Sequence, residues 1–274
     1  MKYTENTLVS IIVPIYKQQK TIQQDLKNID DALSKTRWKY EIIGVIDGFV
    51  DSSYELAKKV ESKTIKIFGY EENKGKGYAV RYGMARSSGE IIAFIDSGMD
   101  INPNGISLIL EHMEWYDADI MVGSKRHSAS KVTYPFIRKI FSFIYQTLIR
   151  ILFELRVRDT QVGLKIFKRN VLEKVLPRLL VKKFAFDIEM LAVANHLGFK
   201  NIYDAPVEIA MDFTTNSSFS PLKLIFNKNI WAMIQDTLGV FYRLKIQKYY
   251  DDGSKRLWIY DKDLEMRINT GELK

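Results

Sequence analysis

The sequence predicts an α/β fold built on a mostly parallel central sheet. Short apolar, β-branched runs alternate with stretches of helical spacing from residue 8 to residue 125, the pattern of βαβ units with right-handed crossovers. The runs are apolar throughout, as strands covered on both faces are. Ile91 to Ile95 is the clearest case, an unbroken apolar run that stops on Asp96.

Taken in order, Leu8 to Pro14 is the first strand, with Tyr16 and Lys17 at its carboxyl end. Ile22, Leu26, Ile29 and Leu33 recur at helical spacing and predict a crossover helix over 18–34. Tyr40 to Ile46 is the second strand, followed directly by Asp47-Gly48, and the capping residues Asp51, Ser52 and Ser53 open a helix toward Val60. Thr64 to Phe68 is a third strand leading into Asn73-Lys74-Gly75-Lys76-Gly77. After the central strand come a helix over 106–115 and a strand over 120–124 that ends at Lys125-Arg126-His127.

The pattern then changes. Phe136, Ile140, Phe143, Ile144, Leu148, Ile151 and Leu155 form a helical stripe, with Arg138, Lys139 and Arg150 as the cations. Its uncharged part is too short to span a bilayer but suits a helix lying in a membrane interface; the competing reading is an ordinary core helix. Pro221 to Ile246 repeats this mixture, and the two stretches together favour membrane contact. Between them, 156–169 is a cationic stretch holding Asp159 and Gly163, and Phe184 to Glu189 opens a helix through His196. The division expected is 1–215 as a catalytic domain, including the amphipathic helix near 136–155, and 216–274 as an amphipathic helical segment with a polar tail to which no role is assigned.

The composition, 46% hydrophobic and 27% charged over 274 residues, is that of a globular chain. The absence of cysteine excludes disulfides and thiolate metal sites. Met1 to Thr7 holds no apolar signal region, which predicts a cytoplasmic location. A net charge of +8 calls for an anionic partner. Nucleic acid is disfavoured, because the aromatic residues lie in apolar stripes and not beside the lysines.

Asp96 and Asp100 stand at the carboxyl end of a buried strand, where α/β sheets bind ligands and where a metal-bound phosphate can be held. Read alone, they also suit the turn into the next helix. Gly75 and Gly77 flank Lys76 ahead of a helix, so backbone N–H groups and an ammonium can meet a phosphate there; a solvated turn uses the same residues. Asp187 and Glu189 are either an acid/base pair or the polar start of a helix. Of the three histidines only His127, beside the expected site, is a functional candidate.

In order and spacing, Val13-Pro14-Ile15-Tyr16, Asp47-Gly48, Asn73 to Gly77, Asp96-x-x-x-Asp100, Gly123-Ser124-Lys125 and Arg158 to Phe167 resemble the polyprenyl-phosphate glycosyltransferases of glycosyltransferase family two. Among these, the dolichyl-phosphate glucosyltransferases are nearest and the mannose synthases next, over roughly residues 8–245. The resemblance implies a Rossmann-like GT-A fold, a nucleotide-sugar donor, Mg²⁺ or Mn²⁺, a polyprenyl phosphate acceptor and inversion at the sugar carbon. It places Pro14, Tyr16 and Asp47 along the nucleoside, Gly75 and Lys76 near the diphosphate, and Asp96 as the first aspartate of an Asp-x-Asp metal motif. Gly98 stands where the second aspartate is usual, so Asp96 and Asp100 are expected to share the metal. Arg138 and Ser142 match an acceptor-phosphate pair.

A phosphate acceptor is already largely ionised at neutral pH and needs no strong base. It needs cations, and Lys125, Arg126, Arg138 and Lys165 suit that task. Catalysis then falls to Asp96 and Lys76, with Asp159 orienting cations or sugar. UDP-glucose is the favoured donor, at the cytoplasmic face of a membrane. A separate membrane protein partner or a homo-oligomer stays open. Two alternatives are a family-two transferase acting on a saccharide or polyol hydroxyl, which would make Asp159 or Asp187 an essential base, and a non-catalytic nucleotide-sugar-binding paralogue, suggested by Gly98.

Overall fold

A computed structural model describes all residues except 1–2, 5, 99–100, 131–135, 182–184, 209–227 and 274, and only the backbone of 136–141 and 228–229. Seven strands form one sheet: β1 (Leu8–Ile15), β2 (Lys39–Asp47), β3 (Ile65–Tyr70), β4 (Ile91–Ile95), β5 (Ile120–Ser124), β6 (Leu164–Lys168) and β7 (Ile202–Pro206). Their order is β3-β2-β1-β4-β6-β5-β7. Every pairing is parallel except those of β6, which runs antiparallel to both neighbours. This is the mostly parallel sheet expected. The strand β6 itself was hidden in the cationic stretch, because Lys165 and Lys168 interrupt its apolar run.

Helices cover both faces. One layer is α1 (Ile22–Leu33), α2 (Ser53–Lys58) and α4 (Gly105–Trp115); the other includes α3 (Lys76–Ala85), α6 (Arg169–Val175) and α7 (Phe186–His196). Side chains alternate across the central strands: Ile91, Ala93 and Ile95 of β4 enter the α1/α4 core while Ile92 and Phe94 enter the other. The amphipathic segments are helices, α5 (Phe136–Phe153) and α8 (Lys228–Phe241), the latter continuing into a π-turn at Tyr242–Ile246. They meet through the Tyr145 and Thr237 hydroxyls, 2.7 Å apart. The expected domain boundary at 215/216 lies outside the described residues.

The tail is not loose polar chain. It forms a hairpin, β8 (Arg256–Asp261) and β9 (Met266–Leu273), docked on the domain. Arg86 donates to the carbonyl of Asp263 at 2.9 Å, and Tyr250, fully buried, donates its hydroxyl to Glu189 at 2.5 Å. The charges that hid the hairpin are partly internal: Arg256 is buried, with its guanidinium 4.5 Å from the Trp258 ring centre.

Candidate active site

Parallel strands deliver their carboxyl ends to one edge of the sheet, and the expected donor residues collect there. Pro14 is the penultimate residue of β1 and half-buried, with exposed Tyr16 just beyond the strand. Asp47 closes β2. Its buried carboxylate accepts the Tyr70 hydroxyl at 2.9 Å, the Asn73 amide at 3.0 Å and the backbone N–H groups of Lys74 and Gly75 at 2.8 and 3.0 Å. Asp47 therefore holds the glycine loop in place, and any base it contacts must share oxygens already in use.

Fixing that loop fixes Lys76, the first residue of α3. Its ammonium lies 2.9 Å from Asp96 Oδ1 and 3.2 Å from Asp187 Oδ2. Asp187 also accepts Lys165 Nζ at 2.7 Å, and the same ammonium donates to the Val162 carbonyl at 2.5 Å. Four charges from α3, the end of β4, β6 and α7 thus form one alternating chain. Burial works against the charge on Lys76, but Asp187 and Asp96 outweigh it and raise the lysine's pKa. Burial likewise opposes ionisation of Asp187, yet Lys165 and Lys76 hold its pKa below the ordinary carboxylate value. For Lys165 burial wins over Asp187 and pulls the pKa down.

Asp96 is set by its neighbour strand. Its N–H donates to the Gly163 carbonyl at 3.0 Å, and a Cβ on Gly163 would lie 2.2 Å from Asp96 Oδ2. Only glycine at 163 leaves room for the Asp96 side chain against this backbone. Gly98, in the place of the second motif aspartate, has φ +100° and donates its N–H to Asp25 at 3.2 Å. The turn here is left-handed, so the glycine suits the backbone as well as removing a carboxylate.

On the acceptor side, Asp159 is 7% exposed and accepts the N–H groups of Lys125 and Gln161 at 3.3 and 3.2 Å. Burial raises its pKa against those bonds. Arg126 donates to the Ser142 hydroxyl at 3.0 Å, which joins two of the expected acceptor residues. Lys165, expected among the acceptor cations, is 1% exposed and engaged behind Asp187. The Arg138 side chain and Asp100 lie outside the described residues. His127 accepts the Ala129 N–H at 3.2 Å and takes no part in the charge chain.

Sequence reasoning left Asp187 undecided between acid/base pair and helix start. The structure separates it from Glu189, which faces the core and accepts the N–H groups of Leu180 and Val181. The missing signal was β6: once Leu164–Lys168 is a buried strand, Lys165 between Leu164 and Ile166 needs an internal acid.

Among the described residues no three His, Asp or Glu side chains gather as a metal cage. Asp96 still fits Mg²⁺ or Mn²⁺ in another way, because such an ion uses one or two carboxylates and draws its other ligands from phosphate and water. Asp96 offers a half-exposed carboxylate at a strand end, already drawing a cation to Oδ1.

The sheet has the form seen in glucosyl-3-phosphoglycerate synthase of Mycobacterium tuberculosis, crystallised with Mn²⁺, UDP and phosphoglyceric acid: TM-score 0.64 at 17% identity, over 96% of this chain and 86% of that one. Mannosyl-3-phosphoglycerate synthase of Rubrobacter xylanophilus gives TM-score 0.64 at 12% identity, with the same coverage. These likenesses are of fold, the GT-A arrangement expected. In sequence the chain is 28% identical to the dolichyl-phosphate beta-glucosyltransferase of Dictyostelium discoideum, over 87% of this chain and 75% of that protein. The Drosophila melanogaster protein of the same name is 31% identical over 69% of this chain and 63% of its own length. A family model described as glycosyl transferase family 2 matches residues 10–176, and the chain belongs to that family.

Proposed function

We propose that the chain transfers glucose from UDP-glucose to a polyprenyl phosphate at a membrane surface, with inversion at the anomeric carbon. The observation that carries this reading is the state of the carboxylates. Asp187 is tied to two lysines and Asp159 to two backbone N–H groups, so among the described residues both candidate bases are already engaged. A phosphate monoester is the acceptor that such a site serves. The Dictyostelium and Drosophila relatives are named dolichyl-phosphate beta-glucosyltransferases, which supports glucosyl transfer to a polyprenyl phosphate.

In this reading an acceptor phosphate oxygen attacks C1, the bond from C1 to the diphosphate oxygen breaks, and UDP leaves with the electron pair. Lys76 neutralises charge on the departing diphosphate. Asp96, with Asp100, would hold Mg²⁺ or Mn²⁺, which supplies further neutralisation. Pro14 and Tyr16 border the nucleoside, Asp47 and Gly75 shape the loop, and Asp159 orients the backbone of Lys125. Lys125, Arg126 and Arg138 hold the acceptor phosphate, with Ser142 steadying Arg126. Lys165 keeps Asp187 ionised, which in turn places Lys76.

The lipid would approach along α5. Phe143, Ile144 and Ile151 are 62%, 59% and 71% exposed on that helix, while Gln146 faces inward to Thr160 and the exposed Ser142 accepts from Arg126 at the surface. An exposed apolar stripe beside the acceptor cations suits a peripheral enzyme at the cytoplasmic face. Among the described residues no helix is long and apolar enough to cross a membrane.

The test is transfer of labelled sugar into a short polyprenyl phosphate with Mn²⁺, across UDP-glucose, UDP-galactose, UDP-N-acetylglucosamine and GDP-mannose, with Asp96→Ala as control. Transfer from UDP-glucose that is lost in the variant supports the reading, and the anomeric coupling of the product reports inversion. Donor binding without transfer to any lipid phosphate overturns it.

A further inference from the structure

A cavity of about 800 Å³ lies outside the charge chain, bounded by the exit of α5, the segment 154–158, the end of α7 and strand β7. Arg156, Arg158, Lys200 and His127 line it, with Asn195 and Tyr203. Along this segment, burial alternates: Arg156 and Arg158 are exposed, while Val157 and Asp159 are buried. Arg158 therefore faces this cavity while its neighbour Asp159 serves the site described above.

The charge balance of the cavity is uneven. Its acids are engaged: Glu154 pairs with Lys245 at 2.6 Å, and Asp204 accepts the Arg158 backbone N–H at 2.9 Å. Burial pushes the Asp204 pKa up to about 6, so its carboxylate stays mostly ionised at neutral pH and offsets part of the basic charge. Lys200 is bound to Asn195. Among the described residues, the side chains of Arg150, Arg156 and Arg158 make no hydrogen bond or ion pair. Arg150, in the last turn of α5, answers the helix dipole. Arg156 and Arg158 lie beyond the helix; Arg158 feels the nearby Asp204 carboxylate, with which it makes no direct ion pair.

A second hollow of about 360 Å³ adjoins the first, sharing Leu155 and Arg156, and is walled by Thr147, Arg150 and Ile151 of α5. It joins the basic cavity to the exposed apolar stripe. We propose that this cavity binds a phosphate ester through Arg156 and Arg158, and that an anionic phospholipid head group is the source its apolar rim favours. Paired arginines on a fixed backbone suit phosphate oxygens. Only the choice of lipid as source rests on the membrane-facing reading of α5.

The full chain is tested against the double variant Arg156→Gln/Arg158→Gln and the charge-matched Lys59→Gln/Lys63→Gln. The lysines are exposed near β3, at the opposite edge of the sheet. Partitioning onto vesicles of phosphatidylcholine with phosphatidylglycerol is measured for each. The arginine variant is expected to bind about thirty-fold more weakly, about 1 kcal/mol for each charge, and the lysine variant to change less than about three-fold because distant charges are screened. Unchanged melting midpoints show that both variants fold. Binding to pure phosphatidylcholine reports the apolar face of α5 by itself, so failure of the membrane reading is told apart from failure of the cavity.

Calorimetric titration with inorganic phosphate and with glycerol phosphate separates the two sources. Phosphate heat that disappears in the arginine variant, with vesicle binding unchanged, assigns the cavity to soluble phosphate esters and overturns the lipid choice. Equal losses in both variants, or no difference between either variant and the wild type in any arm, overturn the site.

Discussion

Lys76 Nζ sits 2.9 Å from Asp96 Oδ1, so in this structure an ammonium occupies one oxygen of the carboxylate proposed to hold a divalent ion. The same ammonium reaches Asp187 at 3.2 Å. On the proposed function, lysine and metal would compete for Asp96 until a diphosphate accepts the lysine. Lys76→Ala is expected to tighten Mn²⁺ binding in the absence of donor, read by electron paramagnetic resonance titration. Turnover should nevertheless fall by about 10² to 10³ as a positioned electrostatic contact is lost. Weaker Mn²⁺ binding in the variant would refute the competition.

Gly163→Ala would drive a methyl to 2.2 Å from Asp96 Oδ2. Because the Asp96 backbone is bonded to Gly163 and its Cβ also lies 2.9 Å from the added methyl, the side chain must turn away or the backbones must part. A stability loss of about 1 to 3 kcal/mol is expected, with loss of transfer far beyond what the remaining folded protein would explain. Thermal melting and turnover measured on one preparation check both.

Gly98→Asp restores the spacing of the usual metal motif without its geometry. At φ +100° a side chain costs about 1 to 2 kcal/mol, and the carboxylate starts from a turn shaped for glycine. The variant is expected to melt lower and to gain no Mn²⁺ affinity. Tighter metal binding at unchanged stability would show that the turn accepts the missing ligand.

Asp187→Asn leaves Lys165 buried without its counter-charge, a change of about 3 to 5 kcal/mol for a buried pair broken on one side. Because the folded pKa of Asp187 lies below its unfolded value of about 3.9, its contribution is complete above that pH and is lost as pH falls through the folded value. Urea unfolding should therefore separate wild type from variant near neutral pH, with the gap closing below about pH 4. Adding Lys165→Met should recover stability but not transfer, since Lys76 stays misplaced. A gap that persists unchanged into acid would remove Asp187 from the charged chain.

The residues by themselves determined the sheet, its parallel strands and the edge where chemistry gathers, because buried strands and crossover helices announce themselves in local periodicity. Asp96 was legible because it follows a strand directly, and Gly75 and Lys76 because they open a helix after the loop that leaves a strand. The antiparallel β6 was not, since Lys165 and Lys168 break its apolar run. Both lysines are partnered by acids distant in sequence, Asp187 for Lys165 and Asp117 and Asp119 for Lys168.

Only the tertiary structure decided which acids belong together. Asp187 and Glu189 are two residues apart, yet one joins Lys76 and Lys165 while the other holds Leu180, Val181 and Tyr250 in the core. A helix turns about 100° per residue, so neighbours at that spacing face different sides. The need for glycine at 163 was equally hidden, because it comes from the carboxylate of a strand reached only by long-range pairing. Local sequence carries propensity and period; charge partners and close approaches are properties of the packed chain.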